Sequence, residues 1–177
     1  ANMALVTTKE MFKKAYDGEF RLREALDIMV LETLIVPPPC PGTVQKAAMS
    51  DLDLIVDWKC ALIREAIGEE PVPEQLRETT LDQLKRSVVW LMRDPSGEPV
   101  SMANSGRMLE RGACVSGVYT PPEHRGKGYC QNTVAALCRE LLACGKSYVT
   151  LFVDKKNPIS NRVYRKIGLT RSSGKPG

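Results

Sequence analysis

Residues 113–153 contain one unit that few folds accommodate. A short apolar run is followed by a proline-stiffened loop, a glycine-rich turn with two cations, an amphipathic helix and a second apolar run. The helix is read over residues 129–143, with Cys130, Val134, Leu137, Cys138, Leu141 and Leu142 on one stripe and Gly145 as its stop. Residues 147–153 are an almost unbroken apolar strand, as expected of one buried on both faces. Strand, helix and strand in this order call for a right-handed crossover with parallel pairing.

Upstream, turns at Asp94-Pro95-Ser96-Gly97 and Glu110-Arg111-Gly112 separate short runs at 88–92, 99–103 and 113–119. That pattern is an antiparallel meander. A meander feeding a β-α-β unit gives a mixed sheet flanked by helices, α/β in the broad sense and α+β in the narrow one. Residues 43–48 read as one more strand. Ser50 and Asp53 have the spacing of a capping box, opening a helix with Leu52, Ile55, Leu62 and Ala66 along one side and Gly68 at its end. Asp51 and Asp53 could be taken for metal ligands, but a capped helix start accounts for them more simply. A second helix is expected to begin near Thr80.

The first third is less patterned. Residues 8–17 are read as a helix opening at Thr8, and residues 30–36 as a strand. Pro37, Pro38, Pro39 and Pro41 hold an extended backbone with no donors, so the domain boundary is placed there. The division is an N-terminal segment (1–36) read as the remnant of an extension, a linker (37–42) and a domain (43–177).

With 177 residues the chain makes one ordinary domain, and 43% hydrophobic against 26% charged residues excludes wholesale disorder. No apolar run approaches the ~18 residues of a membrane span, so no membrane role is expected. The net charge of +4 comes without a basic block. It suits a small anion as well as a nucleic acid, and nothing favours the nucleic acid. Six cysteines without a Cys-x-x-Cys pair, and one histidine, His124, exclude a tetrahedral zinc site. With no secretory leader pattern, the cysteines read as buried thiols of a cytoplasmic protein.

The chemistry is concentrated in two stretches. In the first, Thr120-Pro121-Pro122-Glu123-His124-Arg125-Gly126-Lys127-Gly128 leads into the helix at Tyr129 and Cys130. Free amides at a helix start, with the positive end of the dipole behind them, capture anions. Gly126 and Gly128 let the backbone approach a ligand closely. Arg125 and Lys127 add charge, although Lys127 could equally face solvent. Tight turns use glycine in any case, so spacing alone leaves a phosphate site and a plain turn open. The pattern is neither a Walker loop nor a dinucleotide fingerprint. In the second stretch, Asn157 caps a helix with Pro158 at its first position and Gly168 as its stop. Asn157, Asn161 and Tyr164 share one face of it. A polar stripe there serves either a ligand or a capped surface helix whose Tyr164 packs its ring.

Together the two stretches resemble the GNAT acetyltransferase superfamily. Its acyl-CoA loop, [Arg/Gln]-x-x-Gly-x-[Gly/Ala], corresponds to Arg125-Gly126-Lys127-Gly128-Tyr129-Cys130, with cysteine at the last small position. Its asparagine-to-tyrosine helix corresponds to residues 157–168. The order of elements over residues 43–168 also matches.

The resemblance implies an acetyl-CoA-dependent N-acyltransferase acting on a small-molecule or peptide amine, with no metal. The strands at 113–119 and 147–153 would splay, starting from a bulge at Ser116-Gly117. The backbone of Val118, Tyr119 and Thr120 would pair with pantetheine, and amides of Arg125, Gly126, Lys127, Gly128, Tyr129 and Cys130 would hold the pyrophosphate. Asn157 and Asn161 would meet the cofactor, and Tyr164 would be the general acid for the departing thiolate. Glu65, Glu69, Glu123 or a water chain would serve as base.

The family continues past this last helix with further strands, which the composition of residues 169–177 does not support, so the C-terminal strands are expected to be missing. That leaves a sheet edge through which two copies could pair. Two other readings are a GNAT-fold acyl-CoA sensor or partner module without a productive acceptor site, and a phosphate binder outside the family.

Overall fold

The computed structural model describes residues 26–155 and 157–172; the helix read at 8–17 lies outside them. Seven strands form one mixed sheet in the order β2-β3-β4-β5-β6-β1-β7. In chain order the elements are β1 (Leu26–Leu31), β2 (Thr43–Lys46), α1 (Leu52–Ile67), α2 (Pro73–Lys85), β3 (Val89–Arg93), β4 (Pro99–Met108), β5 (Gly112–Tyr119), α3 (Tyr129–Ala143), β6 (Tyr148–Asp154), α4 (Pro158–Lys166) and β7 (Thr170–Arg171). β3, β4 and β5 form the expected antiparallel meander, and β5 pairs β6 in parallel across α3.

Two cores lie on opposite faces of the sheet. On one, Ile55 of α1 and Leu84 of α2 pack with Val89, Leu91, Met102 and Tyr119. On the other, Val134, Leu137, Cys138 and Leu141 of α3 and Tyr164 of α4 pack with Ala113, Val115, Val149 and Leu151. The stripe read on α3 faces this second core.

The start of α1 differs from the expected Ser50/Asp53 box. A short 3-10 turn (Met49–Asp51) precedes it, and the Ala48 amide donates to Asp51 Oδ2 at 2.8 Å. The other Asp51 oxygen pairs with Arg93 at 2.6 Å, tying the helix start to β3, while Asp53 pairs with Arg77 of α2. α2 begins at Pro73, earlier than Thr80, because proline is preorganised for the first helical position.

The larger correction concerns residues 26–36, the described part of the expected N-terminal segment. β1 pairs antiparallel with β6 over its whole length, from Leu26 opposite Asp154 to Leu31 opposite Val149. Met29 and Leu31 are fully buried, each contributing roughly 1.5–3 kcal/mol by burial. One sheet therefore spans both sides of the expected boundary at 37–42. The prolines are also docked, since Asn132 Nδ2 donates to Pro38 O at 3.1 Å.

The strands expected to be missing are replaced in place. β1 covers β6, and β7 adds two residues beyond it, with Thr170 opposite Val30. The edge of β6 proposed for pairing between copies is thus occupied from within the chain. β6 is not buried on both faces: Phe152 is 57% exposed and faces Ile28 across the ladder. α1 and α2 pack over β3, β4 and β5, and Phe152 lies beyond them.

Candidate functional site

The parallel ladder between β5 and β6 runs from Gly112/Tyr148 to Val115/Leu151 and stops. Past that point the two strands part, leaving backbone groups on both sides of a gap. On the other side of β5, Asn104 stands opposite Ser116 and Met102 opposite Tyr119, so β5 carries an extra residue. Gly117, at φ +55, takes up that bulge, where the sequence placed it.

The chain leaves β5 through Thr120 and a short turn (Pro122–His124) into α3. The amides of His124 and Arg125 are used within the turn, bonding Pro121 O and Pro122 O. Gly126 (φ +77) and Gly128 (φ +84) adopt the left-handed conformation, and Gly128 caps α3. Among the described residues, the amides of Gly126, Lys127 and Gly128 have no acceptor. The first turn of α3, including Tyr129 and Cys130, adds the unpaired amides of any helix start. This is a nest of donors beside the gap.

Arg125 uses its side chain elsewhere. Its Nε donates to Thr120 O at 2.8 Å, and Nη2 reaches Glu65 Oε2 at 2.6 Å. The Tyr119 hydroxyl donates to Glu65 Oε1 at 2.9 Å. Burial, and then the hydrogen bond to Glu65, raise the Tyr119 phenol, which keeps it a neutral donor. Lys127 is exposed. Thr120 is buried, 2.9 Å from Ser101 Oγ.

On α4, Asn157 Oδ1 accepts the Ser160 amide at 3.0 Å, the expected cap. Asn161 Nδ2 donates to Asp154 O and Asn157 O, at 3.0 and 2.7 Å, while its buried Oδ1 has no partner. Tyr164 is buried in the core shared with α3. Desolvation, then the neighbouring Cys130 and Cys138, push its phenol well above the ordinary value, so it stays protonated. Burial also pushes the Cys130 thiol up to about 11. Tyr164 and the first turn of α3 are therefore adjacent, while the side chains of Asn157 and Arg125 are held by other protein groups.

Sequence reasoning missed a cleft of about 530 Å³ along α4, lined by Lys155, Pro158, Asn161, Arg162, Arg165, Lys166 and Arg171. Asp27 of β1 pairs with Lys155 (3.3 Å) and Arg171 (2.8 Å). The density of cations over residues 155–171 was the available signal. The contact of Glu65 with Tyr119 and Arg125 was also missed, and no local pattern encodes it.

No group of described residues could hold a metal ion, and no helix among them is long and apolar enough to cross a membrane. All six cysteines are free.

A family model for the acetyltransferase (GNAT) family matches residues 52–169. No curated protein sequence matches. Among solved structures, an acetyltransferase from the GNAT family of Colwellia psychrerythraea aligns with TM-score 0.69 at 13% identity, over 88% of this chain and 56% of that one. A Drosophila protein aligns with TM-score 0.69 at 16% identity, over 94% and 54%. A predicted acetyltransferase from Clostridium acetobutylicum, crystallised with acetyl-CoA, aligns with TM-score 0.56 at 19% identity, over 71% and 87%. The chain spans little more than half the length of the first two, and at these identities the likeness is one of fold.

Proposed function

Because the chain belongs to the GNAT acetyltransferase family, we propose that it moves the acetyl group of acetyl-CoA to an amine of a small molecule or peptide. The observation that carries this reading is the β5/β6 gap opening beside the free amides of Gly126, Lys127 and Gly128. The gap offers a strand-like slot for the pantetheine amides, bounded by Val118, Tyr119 and Thr120. The amides offer donors for a pyrophosphate. The cations of Arg162 and Arg165 flank the Asn161 side of α4 and add countercharge for the nucleotide end.

In this reading the amine's lone pair attacks the thioester carbon and the C–S bond breaks toward sulfur. Tyr164, kept protonated by burial, donates a hydrogen bond to the sulfur as charge grows there. Asn157 fixes the start of α4 and so the position of Tyr164. Six free cysteines suit a reducing compartment, which supports the cytoplasm as the site of action.

Thermal unfolding with acetyl-CoA, ATP and NADH tests the cofactor. At ligand ~100 times its dissociation constant, acetyl-CoA stabilises by ~2.7 kcal/mol and the nucleotides far less. Gly128→Val abolishes the acetyl-CoA effect, because a branched residue resists the left-handed backbone. Equal shifts from ATP and acetyl-CoA contradict the pantetheine slot.

A further inference from the structure

The segment between β1 and β2 is fixed at three points. Ile35 N donates to Ile167 O at 3.0 Å, at the end of α4, where a Cβ built on Gly168 falls 2.6 Å from Thr33 O. Pro38 O accepts from Asn132 Nδ2 at 3.1 Å, and the same nitrogen reaches Gly128 O at 3.1 Å. Cys40 Sγ lies 3.9 Å from Met92 Sδ of β3, and its Cβ lies 3.7 Å from a Cβ built on Gly128. The segment therefore runs from the end of α4 to the residue that caps α3. Gly128 is also the last of the three free amides, so the segment ends against the nest.

Between these anchors the chain shows an apolar strip to solvent. Ile35 is 56% exposed and Val36 64%, and Pro38 and Pro39 are exposed as well, while Pro37 is buried. No residue from 34 to 39 has a polar side chain. Val36 stands two residues from Pro38, at most ~7 Å along the chain. Single exposed apolar residues are ordinary on a protein surface. Four within five residues, on a backbone held at both ends, form a patch suited to a ligand or a partner. Prolines and anchors leave the strip little freedom to lose on binding.

Resting on the acetyl-CoA reading, we propose that residues 35–39 are the wall against which the adenine of acetyl-CoA packs. Place and chemistry together select this occupant. A ligand with its pyrophosphate on Gly126, Lys127 and Gly128, and its thioester arm in the β5/β6 gap, sends its nucleoside away from the gap. The strip spans the interval between the nest and α4, whose Arg162 and Arg165 supply countercharge for the nucleotide end. Adenine is flat and uncharged at neutral pH, and its face leaves water favourably against Val36 and the proline rings. The strip precedes residues 52–169, which carry the acetyltransferase pattern, so this wall comes from the part of the chain that also supplies β1.

The test compares acetyl-CoA with S-acetyl-4′-phosphopantetheine, which keeps the thioester arm and one phosphate and lacks the adenosine. Calorimetry measures both ligands on the wild type, on Val36→Ser and on Val36→Ser combined with Pro39→Ser. The double variant is expected to lose about 10-fold in acetyl-CoA affinity, the single variant part of that. Affinity for the truncated ligand changes less than about 2-fold, because the lost contact is to adenosine alone. Both positions are exposed, and thermal unfolding without ligand checks that the fold is kept. Val36→Trp enlarges the apolar face, so it tightens acetyl-CoA, and its added emission is quenched by acetyl-CoA and not by the truncated ligand.

Unchanged acetyl-CoA affinity in the double variant overturns the proposal and leaves the transferase reading intact. Equal losses for the two ligands overturn it too, because the strip then acts through the nest and not on the adenosine. A concentration-dependent dimer broken by Val36→Ser, with both affinities unchanged, assigns the strip to a second copy instead. A wild type that binds neither ligand refutes the acetyl-CoA reading and the proposal with it.

Discussion

The amide of Asn104 lies directly under Gly117: a Cβ built on Gly117 falls 2.8 Å from Asn104 Nδ2. Asn104 is 2% exposed, and its Nδ2 donates to Gln83 Oε1 at 3.4 Å. The bulge just past the end of the β5/β6 ladder therefore rests on a buried side chain.

Gly117→Val is expected to disturb both stability and binding. The left-handed backbone and the clash together cost about 1–3 kcal/mol, and the displaced bulge narrows the gap beside β6. Denaturant unfolding and acetyl-CoA calorimetry measure the two effects. A stable variant with normal acetyl-CoA affinity would place the gap's origin elsewhere.

β1 is part of the core, so Met29→Ala is expected to destabilise the protein by about 2–5 kcal/mol. Met29 is fully buried and stands opposite Leu151 of β6. Removing residues 1–36 exposes the edge of β6 and is expected to give an aggregating chain rather than a folded one. Circular dichroism and size-exclusion chromatography of the truncated chain read this out; a monomeric, cooperatively folding product is the contrary result.

Tyr164→Phe is expected to lower kcat by about 100-fold, the lower end for loss of a positioned proton donor, because the CoA thiol is a fairly good leaving group. Acetyl-CoA affinity changes little, since the ring and its packing remain. Unchanged turnover on a productive acceptor removes Tyr164 from the mechanism and makes it a core residue only.

Lys59 gives a pH signature. Its ammonium is buried between α1 and α2, donating to Thr80 Oγ1 at 2.7 Å and Gln83 Oε1 at 2.5 Å, and desolvation lowers its pKa to about 8. The folded pKa lies below the unfolded one, so from about pH 8 to 10 the unfolded chain binds more protons and stability rises with pH. The slope from this group reaches at most about 1.4 kcal/mol per pH unit. Urea unfolding from pH 7 to 10 is expected to show the rise in the wild type and not in Lys59→Met; parallel curves contradict it.

What the sequence disclosed was local. α3 was legible because Gly128 and Gly145 frame an unbroken apolar stripe, and the bulge because a glycine stands where β5 must bend. The capping of α4 by Asn157 was equally plain. β1 was not, because Leu26–Leu31 finds its register only against β6, more than a hundred residues later. The composition that marked 37–42 as a linker is real, but Asn132 docks it beside the α3 start. Arg125 could be read as loop countercharge, yet its partner Glu65 lies sixty residues upstream, and only the sheet brings them together.

The most direct measurement of the central claim is thiol release from acetyl-CoA by the purified protein across a panel of small and peptide amines, with the acetylated product identified by mass. The expected result is amine-dependent release above the hydrolytic background, with at least one amine gaining one acetyl group and Tyr164→Phe depressing that rate. Acetyl-CoA binding with no amine-dependent release from any member of the panel would contradict the transferase account and favour a sensor that keeps only the cofactor groove.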